Sequence, residues 1–159
     1  MRILVLEDES LIALMLAMEL EKAGHRVIGP ASTSAASLRL AEGERPDLAL
    51  LDINLGERDR DGTDVAMALL QRYGIRSLFV SGDVDMQRAM RAQPWGLLSK
   101  PYDPRSLLDT VRAIDDVLSG RVHEPRLPGY VRLAAPAGLG RLMPGHQPRA
   151  ASFAAGASN

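Results

Sequence analysis

The segment Asp47–Asp52, with the sequence DLALLD, decides the fold, because four consecutive apolar residues lead directly into a carboxylate. A strand with one face in water would alternate apolar and polar residues, so this pattern predicts a strand buried on both faces. Similar short apolar runs occur at residues 2–6, 26–29, 76–80 and 95–99. Helical patterns separate these runs. The alternation favours a doubly wound α/β fold, in which a five-stranded parallel sheet is flanked by five helices.

Start and stop signals support five helices between and after these strands. Gly24 is typical of the position just beyond a helix, and Asp103 followed by Pro104 is typical of a helix start. Helices are predicted at residues 11–23, 34–42, 63–73, 84–92 and from Pro104 to about Leu118.

Composition excludes several classes of protein. The 159 residues are 46% apolar and 25% charged, which suits one domain of ordinary size with a short appendage. The chain has no cysteine, which excludes disulfide scaffolds, zinc–thiolate sites and catalytic thiols. The sequence shows neither a signal peptide nor an apolar stretch of membrane-spanning length. We therefore expect a cytoplasmic protein without a membrane segment.

Charge divides the chain into two parts. Residues 1–120 carry 14 basic and 19 acidic side chains, whereas residues 121–159 carry five arginines and one glutamate. The second part also holds five prolines, five glycines and eight alanines, and it lacks a periodic apolar face. We expect a folded domain at 1–120 and a Pro/Gly/Ala/Arg-rich tail at 121–159 that is disordered. Arginines with scarcely an aromatic residue do not favour nucleic-acid binding.

Polar side chains follow four of the predicted strands. Glu7 and Asp8 follow the first strand, Asp52 the third, Ser81 the fourth and Lys100 the fifth. In an open parallel sheet, the carboxyl ends of the strands form one crevice. Carboxylates gathered there repel each other unless a cation such as Mg²⁺ binds between them. A lysine and a hydroxyl beside them would suit a phosphoryl group.

With these residues in place, the sequence resembles the receiver domain of two-component response regulators. The matching elements are the acidic pair at residues 7–8, the strand ending at Asp52, Asp61-Gly62, Ser81, and the Lys-Pro-Tyr of residues 100–102. The resemblance covers roughly residues 1–118. It implies a flavodoxin-like fold of the kind found in the chemotaxis regulator.

The resemblance also implies the roles of the site residues. Asp52 would accept a phosphoryl group from a sensor histidine kinase or a histidine phosphotransfer protein. Glu7, Asp8 and Asp52, with the backbone carbonyl of Asn54, would bind Mg²⁺. Ser81 and Lys100 would hold the phosphoryl oxygens. The chain would be a phosphoacceptor signalling protein rather than an enzyme in the usual sense, although it would catalyse its own phosphorylation and dephosphorylation. It would act by protein–protein contact, as a monomer or weak homodimer.

Three features depart from the usual family pattern. The loop after Asp52 lacks the usual Met-Pro and reaches Asp61-Gly62 two residues later. Ser81 and Lys100 are only 19 residues apart, which predicts a shortened fourth helix. Leu97 occupies the position of the aromatic switch residue. Together with residues 79–82, FVSG, these features resemble the FATGUY subgroup of stand-alone receivers.

Four alternative functions compete with a forward-signalling receiver. A flavodoxin-like cofactor binder needs a hydroxyl- and glycine-rich loop after the first strand, but the acidic residues 7–9 would repel a phosphate there. A phosphatase with an aspartate nucleophile usually carries it after the first strand. A phosphate sink that drains a shared kinase, and a pseudo-receiver that acts only by binding, both stay open.

The first helix carries two apolar stripes. Ile12, Met15, Leu16 and Leu20 are predicted to face the sheet. Leu11, Leu14 and Met18 lie at spacings of three and four on another face, and an exposed stripe of this kind indicates a partner surface. The resemblance implies that the partner is the helical hairpin of a kinase.

Overall fold

The computed structural model describes residues 1–56, 61–82 and 85–122, and the backbone of residues 131–132. Strands and helices alternate through the described part of the chain. The strands are β1 (Arg2–Leu6), β2 (Arg26–Ala31), β3 (Leu48–Leu51), β4 (Ser77–Ser81), β5 (Gly96–Ser99) and β6 (Val131–Arg132). The helices are α1 (Ser10–Lys22), α2 (Ser34–Glu44), α3 (Gly62–Tyr73), α4 (Met86–Arg91) and α5 (Pro104–Leu118).

The strands form one sheet in the order β2-β1-β3-β4-β5-β6, and the first five are parallel. This confirms the predicted five-stranded parallel sheet with five helices. Leu51, the last residue of β3, is paired with Leu6 of β1 and with Phe79 of β4. The residues that come after β1 and β3 therefore emerge side by side at one edge.

Both faces of the sheet are buried, as the continuous apolar runs predicted. Successive residues of a strand point to opposite faces. Leu4 and Leu6 accordingly join one apolar cluster with side chains of α3, while Ile3 and Val5 join a second with side chains of α1 and α5. The sheet holds the site rigidly because it is packed on both sides.

Side-chain caps fix where four of the helices begin. Thr33, Asp61, Asp85 and Asp103 precede α2, α3, α4 and α5, and each accepts a hydrogen bond from a backbone N–H of its helix. The predicted start of α5 at Asp103 and Pro104 is confirmed. Helix α4 has only six residues, which confirms the predicted shortening. The expected start of this helix at Val84 lies outside the described residues.

The inward face of α1 differs from the prediction at one position. Met15, expected to face the sheet, is 56% exposed, whereas Leu16 and Leu20 are buried as predicted. Ala13 and Ala17 occupy the remaining inward positions. Met15 lies about 100° around the helix from Leu16, which places its side chain outside the buried stripe.

The tail contributes one element that the sequence pattern did not predict. Val131 and Arg132, within the segment expected to be disordered, form β6 and pair with β5 in the antiparallel direction. The remainder of that segment beyond residue 122 lies outside the described residues. None of the described helices is long and apolar enough to cross a membrane.

Candidate functional site

The site lies at the carboxyl edge of the sheet, where Glu7 follows β1, Asp52 follows β3 and Lys100 follows β5. Glu7 and Asp52 are 2% and 7% exposed. The strands therefore carry two carboxylates into nearly complete burial at one point. The strand ends alone predicted this convergence.

Lys100 neutralises part of the buried charge. Its Nζ atom donates hydrogen bonds to Glu7 Oε2 at 2.8 Å and to Asp52 Oδ2 at 2.7 Å. Burial alone would lower the pKa of Lys100, but its hydrogen bonds to Asp52 and Glu7 outweigh that effect and raise this pKa above its usual value. Lys100 is thus a fixed cation between two carboxylates.

Lys100 offsets only part of the cost of burying a negative charge on Glu7. Burial raises the pKa of Glu7, and the hydrogen bond from Lys100 counteracts only part of the rise. One lysine faces two buried carboxylates, so the cluster keeps an excess of negative charge. A further cation placed here would gain electrostatic energy.

Asp8 completes an acidic cluster with Glu7 and Asp52. One carboxylate oxygen from each residue lies within 4.8 Å of the others. The backbone N–H of Gly56 donates to Asp8 Oδ2 at 2.9 Å, which anchors the loop after β3 to the loop after β1. Three hard oxygen ligands at this spacing fit a divalent cation such as Mg²⁺ or Ca²⁺. The cluster is compatible with metal binding.

Asn54 connects Asp52 with Ser81. Its backbone N–H donates to Asp52 Oδ1 at 3.0 Å, and its side-chain amide donates to Ser81 Oγ at 3.2 Å. Ser81 is fully buried at the end of β4, and its carbonyl accepts a hydrogen bond from the Lys100 N–H at 3.0 Å. The structure thus joins all six predicted site residues into one connected group.

Gly62 permits the start of α3 to contact the site. A Cβ atom added at Gly62 would lie 2.0 Å from the backbone oxygen of Asp52, a distance that no side chain can accept. The Gly62 N–H donates to the carbonyl of Ile53 at 3.0 Å. The sequence indicated a helix start at Asp61-Gly62, but it did not predict this contact with the backbone of Asp52.

Arg88 of α4 is a neighbour of the site that sequence reasoning missed. Its guanidinium forms ion pairs with Asp61 at 3.0 Å and with Asp64 at 3.1 Å. It thereby links α4 to the first turn of α3, next to the contact between Gly62 and Asp52. A single arginine on a short helix carries no signal by which the sequence could have placed it there.

Comparison with known proteins gives a consistent result. Residues 3–112 match the family model described as the response regulator receiver domain. The phyllosphere-induced regulator PhyR of Methylorubrum extorquens is 35% identical over 107 residues, which cover 66% of this chain and 40% of that protein. The transcriptional regulatory protein PdtaR of Mycobacterium tuberculosis is 29% identical over 118 residues, covering 74% and 57%. The chain thus spans only about half the length of these relatives.

Solved structures show the same likeness. A CheY-like response regulator receiver domain protein from Methanospirillum hungatei superposes with a TM-score of 0.69 at 27% identity. The signal receiver domain of a modulated diguanylate cyclase from Desulfovibrio desulfuricans gives 0.67 at 30% identity. In both comparisons the alignment covers 76% of this chain and 98% of the other. The likeness is to complete receiver domains.

Proposed function

The chain belongs to the response regulator receiver family, and on that premise we propose that it is a cytoplasmic phosphoacceptor that receives a phosphoryl group on Asp52. The donor is a phosphohistidine of a sensor histidine kinase or a histidine phosphotransfer protein. The protein then signals by contact with another protein. The observation that carries the proposal is the position of Asp52, a buried carboxylate that contacts Lys100 and belongs to the acidic cluster.

The acidic cluster would hold Mg²⁺ through Glu7, Asp8 and Asp52, with the backbone carbonyl of Asn54 as a further ligand. All are oxygen donors, which Mg²⁺ prefers, and the cluster has too few protein ligands to enclose the ion. When bound, the ion would offset negative charge that develops on the transferring phosphoryl group. The excess negative charge beside Glu7 supports the presence of a cation here.

The transfer itself is a displacement at phosphorus. A carboxylate oxygen of Asp52 forms a bond to phosphorus as the bond from phosphorus to the donor nitrogen breaks, and the imidazole leaves with the bonding electrons. Lys100 and Ser81 then hold the phosphoryl oxygens, the first by its charge and the second by its hydroxyl. Hydrolysis of the acyl phosphate by water returns Asp52 to its carboxylate form. In this sense the chain catalyses its own phosphorylation and dephosphorylation.

Phosphorylation by a small donor tests the proposal directly. We expect acetyl phosphate with Mg²⁺ to add one phosphoryl group to the wild-type chain, as measured by intact mass. The adduct should be absent in Asp52→Asn and in EDTA. Asp47→Asn is the matched control, because Asp47 precedes the same strand at its other end and binds Arg2 rather than the site. An unmodified wild-type chain would favour the pseudo-receiver, and an adduct that survives in Asp52→Asn would place the acceptor elsewhere.

The exposed face of α1 is the proposed docking surface for the donor protein. Leu11, Leu14, Met15 and Met18 are between 47% and 71% exposed. Helix α1 begins three residues after Glu7, so this face lies beside the acceptor. A partner helix packed along it would bury apolar surface and bring its histidine close to Asp52. This surface supports a protein partner, and we propose a monomer or weak homodimer that does not bind nucleic acid.

The domain division is also a proposal. We infer that residues 1–120 form the receiver domain and that residues 121–159 are an appendage that folding does not require. Arg121, three residues beyond the end of α5, still contacts that helix, because it forms ion pairs with Asp115 at 2.9 Å and with Asp116 at 2.6 Å. A chain that ends after Val122 should therefore melt within a few degrees of the full-length chain. A drop much larger than that would show that the tail stabilises the domain.

A further inference from the structure

The edge of β5 carries an unexpected partner. Without β6, β5 would be the edge strand of the sheet, and its outer backbone groups would lack strand partners. Val131 pairs with Leu98, and Arg132 pairs with Leu97. Two residues that follow α5 in the same chain thus cover the edge of a strand that ends at the site.

The side chains of β5 leave only its backbone for recognition. Leu97 and Leu98 are 4% and 2% exposed and belong to the apolar clusters on opposite faces of the sheet. Whatever binds this edge must therefore bind as an extended strand through main-chain hydrogen bonds. Residues 129–133, GYVRL, combine aromatic and β-branched side chains that favour strands, so the chain supplies a suitable segment itself.

The same strand leads directly into the site. Ser99 of β5 pairs with Ser81 of β4, and the next residue is Lys100, which binds Glu7 and Asp52. The residues that pair with β6 precede Lys100 by two and three positions. Lys100 and the groups that pair with β6 therefore belong to one short, continuous stretch of backbone.

We propose that the edge of β5 is a strand-docking site, that Val131–Arg132 occupies it within the same chain, and that phosphorylation of Asp52 weakens this pairing. The coupling rests on the proposed function. Lys100 is held by two carboxylates at 2.7 and 2.8 Å, and one of them belongs to Asp52, the proposed acceptor. Phosphoryl oxygens on Asp52 give Lys100 new partners and shift the end of β5 away from the geometry that fits β6. Release of β6 then exposes the β5 edge to an extended segment of a partner protein.

The test is hydrogen–deuterium exchange on the full-length chain. Val131→Pro removes a backbone N–H and disfavours pairing, and Ala151→Pro is the control, with the same new residue elsewhere in the tail. We expect exchange in residues 96–99 to rise about fivefold in Val131→Pro, the effect of losing one or two marginal hydrogen bonds, and to stay unchanged in Ala151→Pro. Equal exchange in both variants, or protection that depends on protein concentration, would overturn pairing within one chain.

Acetyl phosphate and Mg²⁺ test the coupling in the same chains. Exchange in residues 96–99 of the wild type should rise toward that of Val131→Pro once the phosphoryl adduct forms, and Asp52→Asn should show no response. By reciprocity, the equilibrium of phosphoryl transfer should lie further toward the adduct in Val131→Pro than in Ala151→Pro. An adduct that forms without any change in exchange would overturn the coupling and leave the proposed function standing. Absence of the adduct would overturn the proposed function. The pairing of β6 with β5 is tested separately, by comparing exchange in Val131→Pro and Ala151→Pro without acetyl phosphate.

Discussion

The site and the outer face of α1 lie next to each other and break the usual rule of burial in opposite ways. At the site, the charged groups of Glu7 and Asp52 are almost completely buried. On α1, four large apolar side chains are in water. They are Leu11 at 71%, Leu14 at 55%, Met15 at 56% and Met18 at 47% exposure. Leu14 lies only eight positions after Leu6, the last residue of β1.

This difference in burial indicates that the two regions have different functions. Buried charges are costly unless they are paired, and the site keeps them because the proposed chemistry needs a carboxylate and a cation. Exposed apolar side chains forgo burial that would stabilise the fold, and α1 keeps them because the proposed partner needs a surface. Changes at the site should therefore alter the free energy of unfolding strongly, and changes on the α1 face should hardly alter it.

Gly62→Ala should produce the largest effect, because the new Cβ atom would lie 2.0 Å from the backbone oxygen of Asp52. Either α3 or the end of β3 must move, and we expect a loss of at least about 3 kcal/mol in the free energy of unfolding. Urea denaturation measures it. Gly43→Ala in α2 is the matched control, because a Cβ atom there meets nothing within 4 Å. It should be neutral or stabilising by up to about 1 kcal/mol. Similar losses in both variants would contradict the close contact.

Lys100→Ala should produce the second-largest loss of stability, because it leaves two buried carboxylates without their cation. The Lys100 side chain is 22% exposed, so the expected loss without metal is about 2 kcal/mol, less than for a fully buried pair. Mg²⁺ should still bind, since its proposed ligands are carboxylates, and should recover part of the lost stability. Isothermal titration calorimetry measures Mg²⁺ binding, and urea denaturation followed by Trp95 fluorescence measures stability. Lys22→Ala on the surface of α1 is the control in both. Loss of Mg²⁺ binding would contradict the assigned ligands.

Glu7→Gln should stabilise the metal-free protein at pH 7 and weaken Mg²⁺ binding. Burial raises the pKa of Glu7, so the folded state binds its proton more tightly than the unfolded state does. The wild type therefore loses stability as pH rises through that pKa, and the gain from Gln should shrink as pH falls. Glu21→Gln, on the exposed surface of α1, is the control. Destabilisation at pH 7 would show that Glu7 is fully compensated by Lys100.

The strands and the positions of the candidate site residues were predictable because they depend on short apolar runs and on the polar residue at the end of each run. The run ending at Asp52 predicts β3 buried on both faces, and the parallel order then gathers Glu7, Asp52 and Lys100 at one edge. Local patterns suffice for both steps. The helix start at Asp103 was equally predictable, since its signal lies within two residues.

Features that depend on distances between elements were not predictable. The contact of Gly62 with the backbone of Asp52 depends on the angle at which α3 meets β3. The outward position of Met15 depends on how α1 is rotated about its axis against the sheet. The pairing of Val131 with Leu98 depends on a connection from α5 whose course no local pattern fixes.

The smallest effect on stability should result from changes on the α1 face, where Leu14 and Met18 are replaced together by Gln. Both side chains are largely exposed, so the free energy of unfolding should change by no more than about 0.5 kcal/mol. Phosphotransfer from the cognate kinase should nevertheless slow by about tenfold, because the docking helix loses apolar contact worth roughly 1.4 kcal/mol. Acetyl phosphate should modify the variant at the wild-type rate, since a small donor needs no docking surface. Leu16→Gln, at a buried position of the same helix, should instead lower the free energy of unfolding and slow phosphorylation by both donors alike. If phosphorylation of the Leu14 and Met18 variant slows equally with both donors, this face stabilises the fold and does not dock the kinase.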